Sequence, residues 1–329
     1  MKERVYYSPQ HPRFKEHDNP YSQNYRDALK KKYKIANYES IPYLVSSMSF
    51  TLGALRADIY IINWLENIGY SKLGAVQFMF VRLGLWIIKK RKKKIVWMFH
   101  NIHPHQGHNR ISLWLYNYLF KNATLIISHS REAAKYVRKH TSVKVLYVCH
   151  PVHPINIIEN DIKVEACDVL IWGSVAPYKG IYEFMEQATK RHSNLRIRVI
   201  GKCDNKSLAF IINEFCNDHI TFENRKISFE ELAACVKRSR YVLFPYVGSC
   251  VSSSGALIDT VVLGGNPVGP NVGAFKDLAD EDVCHIYKDY DELFSILEHQ
   301  ELSISDKARE DFCHNNSWDH LVDVIVENL

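Results

Sequence analysis

Residues 246–278 read Y-V-G-S-C-V-S-S-S-G-A-L-I-D-T-V-V-L-G-G-N-P-V-G-P-N-V-G-A-F-K-D-L. An apolar run ends at Pro245-Tyr246, and a loop of small polar residues follows. An apolar helical pattern then opens at about Ser253 and stops at Gly264-Gly265, before a short run at Asn266-Pro267-Val268. Strand, loop, helix, strand is the repeating unit of a parallel sheet, because parallel neighbours need a helical crossover. The unpaired amides at a helix start attract anions, and small side chains leave them approachable. Ser252, Ser253, Ser254 and Gly255 therefore suit a diphosphate, and Asp259, one turn on, suits a ribose diol. Taken alone, a serine in that place is an ordinary helix cap.

The same grammar runs outward in both directions. At 170–180, Leu-Ile-Trp-Gly-Ser-Val-Ala-Pro-Tyr-Lys-Gly is a strand, a glycine-containing loop and a lysine at the next helix start. In a doubly wound sheet ligands bind at that carboxyl edge, so Lys179 is placed to neutralise a phosphate, with Gly173 and Ser174 in the loop. Strands are expected over 169–174, 195–201, 220–223, 241–246, 266–268 and 284–287. Upstream they are expected over 5–8, 35–38, 58–64, 94–101, 123–130 and 143–150. Most are continuous apolar runs, as in sheets covered on both faces. The alternation breaks at 151–154, and 155–163 reads as a hinge. The expected fold is α/β, two Rossmann-like doubly wound domains facing a central cleft, with the first domain at 1–154 and the second at 155–312.

A chain of 329 residues with 47% hydrophobic and 24% charged residues has the material for two such cores. Its net charge of +6 lacks the density of a dedicated nucleic-acid binder. The excess is local, in Lys30–Lys32 with Lys34 and in residues 89–94, and reads either as solvated helix ends or as attraction to anionic lipid or a phosphorylated acceptor. The eight cysteines show no paired spacing and read as buried hydrophobes in a reducing compartment. No secretory signal opens the chain and no apolar run reaches the roughly 18 residues of a membrane span, so the expectation is a cytoplasmic protein, soluble or peripheral at the inner membrane face. The stretch 73–90 is apolar on more than one face and runs into the basic cluster. It reads as a core helix or as one that dips into a membrane surface.

In the first half, residues 97–109 read W-M-F-H-N-I-H-P-H-Q-G-H-N, so a strand ends at His100 and more histidines crowd the loop. No carboxylate or cysteine lies among them, so no metal is expected. Residues 128–132 close the next strand and open a helix with a serine cap at Ser130, preceded by His129. Residues 17–21 lead into the first helix.

These motifs together resemble glycosyltransferases of the GT-B superfold, and family 4 in particular. The resemblance is carried by Gly173, Lys179-Gly180, Pro245-Tyr246, Ser254-Gly255, Asp259, Gly264-x-x-Pro267-Val268 and Asn271-x-Gly273, with Phe229-Glu230-Glu231-Leu232 opening the intervening helix. It implies an enzyme that transfers a sugar from a nucleoside-diphosphate sugar, with retention and without metal or other cofactor, to a glycan or polyprenyl-linked acceptor in polysaccharide or glycolipid synthesis. The leaving diphosphate itself would take the acceptor's proton. It implies His100 at the transferred sugar or the acceptor, with Asn101 and His105 beside it, and His129 and Ser130 lining the cleft. Asn19 and Tyr21 would lie in a loop that closes over donor and acceptor. Residues 313–329 would form a terminal helix crossing back to the first domain. Two residues depart from the pattern: Ser174 stands where an arginine is usual, and Val251 where the first of two glutamates is usual, the second being Asp259. The sugar half of the site must therefore differ. A sugar-nucleotide 2-epimerase and a non-catalytic sugar-nucleotide-binding assembly subunit are the alternatives.

Overall fold

The computed structural model describes residues 2–12, 20–37, 40–41, 46–71, 73–100, 102, 107, 109–154, 162–248 and 253–329, without the side chains of 11, 12, 40 and 41. It forms two compact units, Met1–His153 with Asn316–Leu329, and Pro154–Asn315.

The first unit runs β1 (Arg4–Ser8), β2 (His11–Pro12), α1 (Tyr21–Lys32), β3 (Lys34–Ile35), β4 (Ser40–Ile41), α2 (Ser46–Gly53), β5 (Ile59–Asn63), α3 (Gly74–Lys90), β6 (Lys94–Phe99), α4 (Arg110–Asn122), β7 (Leu125–Ser128), α5 (Arg131–Arg138) and β8 (Lys144–Tyr147). Six strands form one parallel sheet in the order β3-β1-β5-β6-β7-β8, with β2 and β4 pairing apart. Side chains alternate across a strand. Val5, Tyr7, Ile59, Ile61, Val96 and Met98 accordingly enter one apolar cluster, while Tyr6, Tyr60, Ile62, Ile95 and Trp97 enter another on the opposite face. Both faces are covered, which is why these strands read as unbroken apolar runs.

The second unit runs β9 (Cys167–Trp172), α6 (Ile181–Lys190), β10 (Ile197–Ile200), α7 (Lys206–Asn213), β11 (Ile220–Glu223), α8 (Phe229–Lys237), β12 (Ser239–Leu243), α9 (Gly255–Val262), β13 (Pro267–Pro270), α10 (Gly273–Ala279), β14 (His285–Tyr287), α11 (Tyr290–His299) and α12 (Asp306–Asn315). Its parallel sheet has the order β11-β10-β9-β12-β13-β14. The order reverses beside β9 here, and beside β1 in the first unit. At such points the crossovers leave to opposite sides and open a crevice at the carboxyl edge. The expected α/β class with two doubly wound sheets is observed. Several strands end one to three residues earlier than the apolar pattern predicts, because His129–Ser130 and Gly173–Ser174 already belong to the loops.

α3 resolves the open reading of 73–90 in an unexpected way. Val81, Gly84, Leu85 and Ile88 are buried against the sheet, while Val76, Met79, Leu83 and Trp86 are exposed. α2 crosses α3 closely, since a Cβ on Gly84 would sit 2.8 Å from Phe50. The Thr51 hydroxyl donates to the Phe80 carbonyl at 2.6 Å.

The last helix, α13 (Trp318–Asn328), packs on α1 within the first unit. Trp318, Leu321, Val322 and Ile325 join Tyr21, Tyr25, Ala28 and Leu29 in one cluster. Lys31–Asp319 (2.6 Å) and Lys32–Asp323 (2.8 Å) bridge the same helices in solvent. Exposed pairs contribute about 0–1 kcal/mol, whereas emptying a buried tryptophan site costs about 3–5 kcal/mol. Trp318→Ala should therefore lower unfolding free energy by about 3–5 kcal/mol in urea titration. Asp319→Asn combined with Asp323→Asn should lower it by no more than about 1–2 kcal/mol; equal losses would show that charge, not packing, holds α13.

Candidate functional site

Each unit carries a candidate site at the reversal point of its own sheet. In the second unit, β9 ends at Trp172, whose indole N–H donates to Thr260 Oγ on α9 at 2.9 Å. The chain turns through Gly173 and the exposed Ser174 into a short 3₁₀ turn, Pro177–Lys179, one step before α6. The Val247 amide donates to the Tyr178 carbonyl at 3.1 Å, joining this turn to the loop after β12. Gly180 makes that contact possible, since a Cβ there would lie 1.9 Å from the Pro245 carbonyl oxygen. Its φ of +67° also suits glycine.

Lys179 lies inside this junction, 9% exposed. Its ammonium donates to the Tyr246 hydroxyl and stands over the Tyr246 ring, 4.1 Å from the centroid. Among the described residues no carboxylate pairs with it. Burial lowers its pKa, and the hydroxyl and ring face only partly replace the lost water. Burial likewise pushes the Tyr246 phenol up to about 12, so it stays neutral. Tyr246 Oη lies 3.3 Å from Ser254 Oγ, and Ser254 caps α9 by accepting from the Leu257 amide at 3.3 Å. The amides of Gly255 and Ala256 belong to the first turn, where intrahelical acceptors are lacking. Among the described residues a Cβ on Gly255 would meet nothing within 4 Å. Lys179, Ser254 and the start of α9 are thus brought together through Tyr246. Sequence reading had marked Tyr246 only as a strand end. Asp259 lies one turn along α9, and Ser252 falls outside the described residues, as does Val251.

In the first unit, β6 delivers His100 beside Asn63 at the end of β5. The Asn63 amide nitrogen donates to the Ser8 carbonyl at 3.0 Å, so its oxygen faces His100 Nε2, also at 3.0 Å. His100 Nε2 therefore carries the proton and donates. The ring stacks on Trp64 at 4.2 Å and is buried. Trp64 itself adopts a left-handed backbone (φ 49°), a strained state that such sites tend to hold. His129 donates from Nδ1 to the Val148 carbonyl at 2.8 Å and accepts at Nε2 from the Tyr21 hydroxyl at 2.9 Å. Ser130 is the N-cap of α5. Tyr21, His129 and Ser130 are all buried; Tyr21 and His129 bond each other, and Ser130 accepts from the Ala133 amide at 3.3 Å. Trp318 packs on Tyr21 at 4.9 Å, and His150 on Tyr21 at 5.3 Å. Asn19, Asn101 and His105 lie outside the described residues, as do His103 and His108.

Next to Asn63 and Trp64 opens a cavity of about 290 Å³. Its walls come from the ends of β1 and β5 (Ser8, Gln10, Asn63, Trp64) and from the inner faces of α2 (Ser47, Phe50) and α3 (Gln77, Val81). Gln77 Nε2 and Ser47 Oγ, both in residues only 3% exposed, have no hydrogen-bond partner among the described residues. Two unsatisfied donors on a cavity wall are costly unless a ligand meets them. Sequence reading missed this pocket because nothing in the spacing of Ser47, Asn63 and Gln77 announces that the topology brings them together.

No family model matches the chain, and no curated protein matches its sequence. Solved structures do. Anabaena HepE, solved with UDP and glucose, aligns over 99% of this chain and 100% of its own, at a TM-score of 0.67 and 12% identity. The α,α-trehalose-phosphate synthase (UDP-forming) of Burkholderia vietnamiensis aligns over 100% and 97%, at 0.67 and 11%. The lipopolysaccharide outer core galactosyltransferase WaaB, in its apo form, aligns over 99% and 100%, at 0.65 and 8%. The fold is that of GT-B glycosyltransferases. At these identities the likeness is one of fold.

The first unit's histidines carry a pH consequence. Burial drives the pKa of His100 and His150 well below the usual value, and that of His129 down to about 4. The unfolded chain takes up protons at these groups below about pH 6.5 while the folded chain does not, so stability falls as pH drops from about 6.5 towards 4. Each histidine contributes about 1.4 kcal/mol per pH unit inside that window. Glu66, raised by burial to about 7, acts with the opposite sign, one group against three. Melting temperature should therefore drop on going from pH 7 to pH 5, and His129→Gln should flatten the slope. A melting temperature that stays level over that range would contradict the neutral cluster.

Proposed function

We propose that this chain is a glycosyltransferase that moves a sugar from a nucleoside-diphosphate sugar to a glycan or lipid-linked acceptor. The observation that carries this reading is the buried Lys179 ammonium, lacking a carboxylate among the described residues and set beside the start of α9. A buried cation without a counter-ion is costly, and a diphosphate would supply the missing charge and meet the amides of Gly255 and Ala256 as well. Asp259, one helical turn on, would take the ribose. That HepE was solved with UDP and the Burkholderia synthase is UDP-forming makes a uridine nucleotide the first donor to test.

In this reading the protein's contribution to bond cleavage is electrostatic. Charge grows on the leaving diphosphate as the glycosidic bond breaks, and Lys179 with the α9 amides stabilises it. The reaction is proposed to be retaining and metal-independent, with the leaving phosphate taking the acceptor's proton. His100 and the adjoining cavity would receive the acceptor side. A mainly apolar lining that carries the amides of Gln10, Asn63 and Gln77 and the hydroxyls of Ser8 and Ser47 suits a saccharide. The protein would act in polysaccharide or glycolipid synthesis at the cytoplasmic face of a membrane. No helix among the described residues is long and apolar enough to cross one.

Two measurements test the reading. Lys179→Ala should weaken binding of UDP, or of whichever of UDP, GDP and ADP binds best, by about 10- to 100-fold in calorimetric titration, the worth of a charge-assisted contact. Undiminished affinity would remove the donor-site model. His100→Ala should reduce acceptor-dependent release of nucleoside diphosphate far more than it reduces donor affinity; parallel loss of both would assign His100 to donor binding alone.

A further inference from the structure

α2 and α3 turn an apolar face outward that the fold leaves uncovered. On α3, Val76, Met79, Leu83 and Trp86 follow three- and four-residue spacing along one stripe, and Leu52 continues it on α2, packed alongside. Met79 is 70% exposed and Trp86 56%. A solvated helix would place polar residues here, and a core helix would not expose tryptophan.

Charge completes the pattern. Residues 67–131 hold eleven lysines and arginines and no aspartate or glutamate. Lys89 and Lys90 end α3 and Arg91 and Lys92 follow in the turn, all exposed and, among the described residues, free of carboxylate partners. The next two are engaged, Lys93 with Asp58 at 2.6 Å and Lys94 near Glu3 at 3.9 Å. A favourable helix dipole explains one or two cations at a C-terminus, not four beside an exposed apolar stripe. Association of the face with a second copy would set cations against a segment that has no acid to receive them.

We propose that the outer face of α2 and α3 seats the first unit on a bilayer containing anionic phospholipid. Leu52, Val76, Met79, Leu83 and Trp86 enter the interfacial zone, and Lys89–Lys92 meet the headgroup phosphates. The inner faces of the same helices, through Phe50, Gln77 and Val81, form walls of the 290 Å³ cavity. A docked protein would thus hold that cavity next to the lipid surface, where a lipid-linked acceptor presents its sugar. This last link rests on the proposed function, whereas the docking surface stands without it.

The test is co-sedimentation of the full chain with vesicles of phosphatidylcholine alone or mixed with phosphatidylglycerol, with UDP titration of the same samples. Binding is expected only with phosphatidylglycerol, and should weaken as salt rises from about 0.1 to 0.5 M, where screening lengths shorten. At about fivefold per basic residue, changing Lys89, Lys90, Arg91 and Lys92 to glutamine should reduce partition by at least a hundredfold. Met79→Ser with Trp86→Ser should reduce it at least tenfold, with UDP affinity unchanged in both variants. Failure to bind phosphatidylglycerol vesicles, or binding indifferent to both variants, overturns the proposal. So does a dimer in gel filtration that Met79→Ser with Trp86→Ser dissociates. Vesicle binding without UDP binding would leave the docking face standing and the donor reading refuted.

Discussion

Parallel pairing on both sides of a single strand, β1 between β3 and β5 and β9 between β10 and β12, governs where polar chemistry gathers in this molecule. The crossovers diverge there, so the carboxyl ends of neighbouring strands are not roofed by one helix, and their last main-chain groups must find other partners. In the first unit the Asn63 side chain bonds the Ser8 carbonyl. In the second, the Val247 amide reaches Tyr178. The candidate site residues are those drawn in by that need.

The two reversal points differ in electrostatic character. The second unit buries one ammonium against a phenol and an aromatic face, a state held at a cost and relieved by an anion. Around Tyr21 the first unit gathers His100, His129 and His150 with Trp64 and Trp318, all neutral and mostly ring against ring. Such an assembly has no charge to attract a phosphate.

Much of the fold was legible because the strands are buried on both faces, so their β-branched runs stand out without alternation. The strand, loop and helix start around Ser254 were legible for a related reason: glycine and serine at a strand end have a local geometric meaning. The surroundings of His100 were not. Asn63 and Trp64 close a strand whose sequence looks like any other, and their importance comes from His100, thirty-odd residues away, arriving alongside. Tyr21 and His129 bond each other and Ser130 caps α5, pairings that their spacing in the chain does not announce. α3 defeated the choice between core and surface because both descriptions apply, one to each face.

Asn63 also settles a matter of polarity. Because its amide nitrogen is tied to Ser8, only its oxygen can face His100, and His100 must keep its proton on Nε2. The opposite ring nitrogen is left as a lone pair on a base too weak to protonate near neutrality. A group approaching that nitrogen is welcome only if it brings its own hydrogen. A hydroxyl does so, whereas a bare phosphate oxygen or a carbonyl does not. The orientation of one amide, fixed by a strand end two strands from His100, thus sets which end of an incoming dipole the first unit will accept.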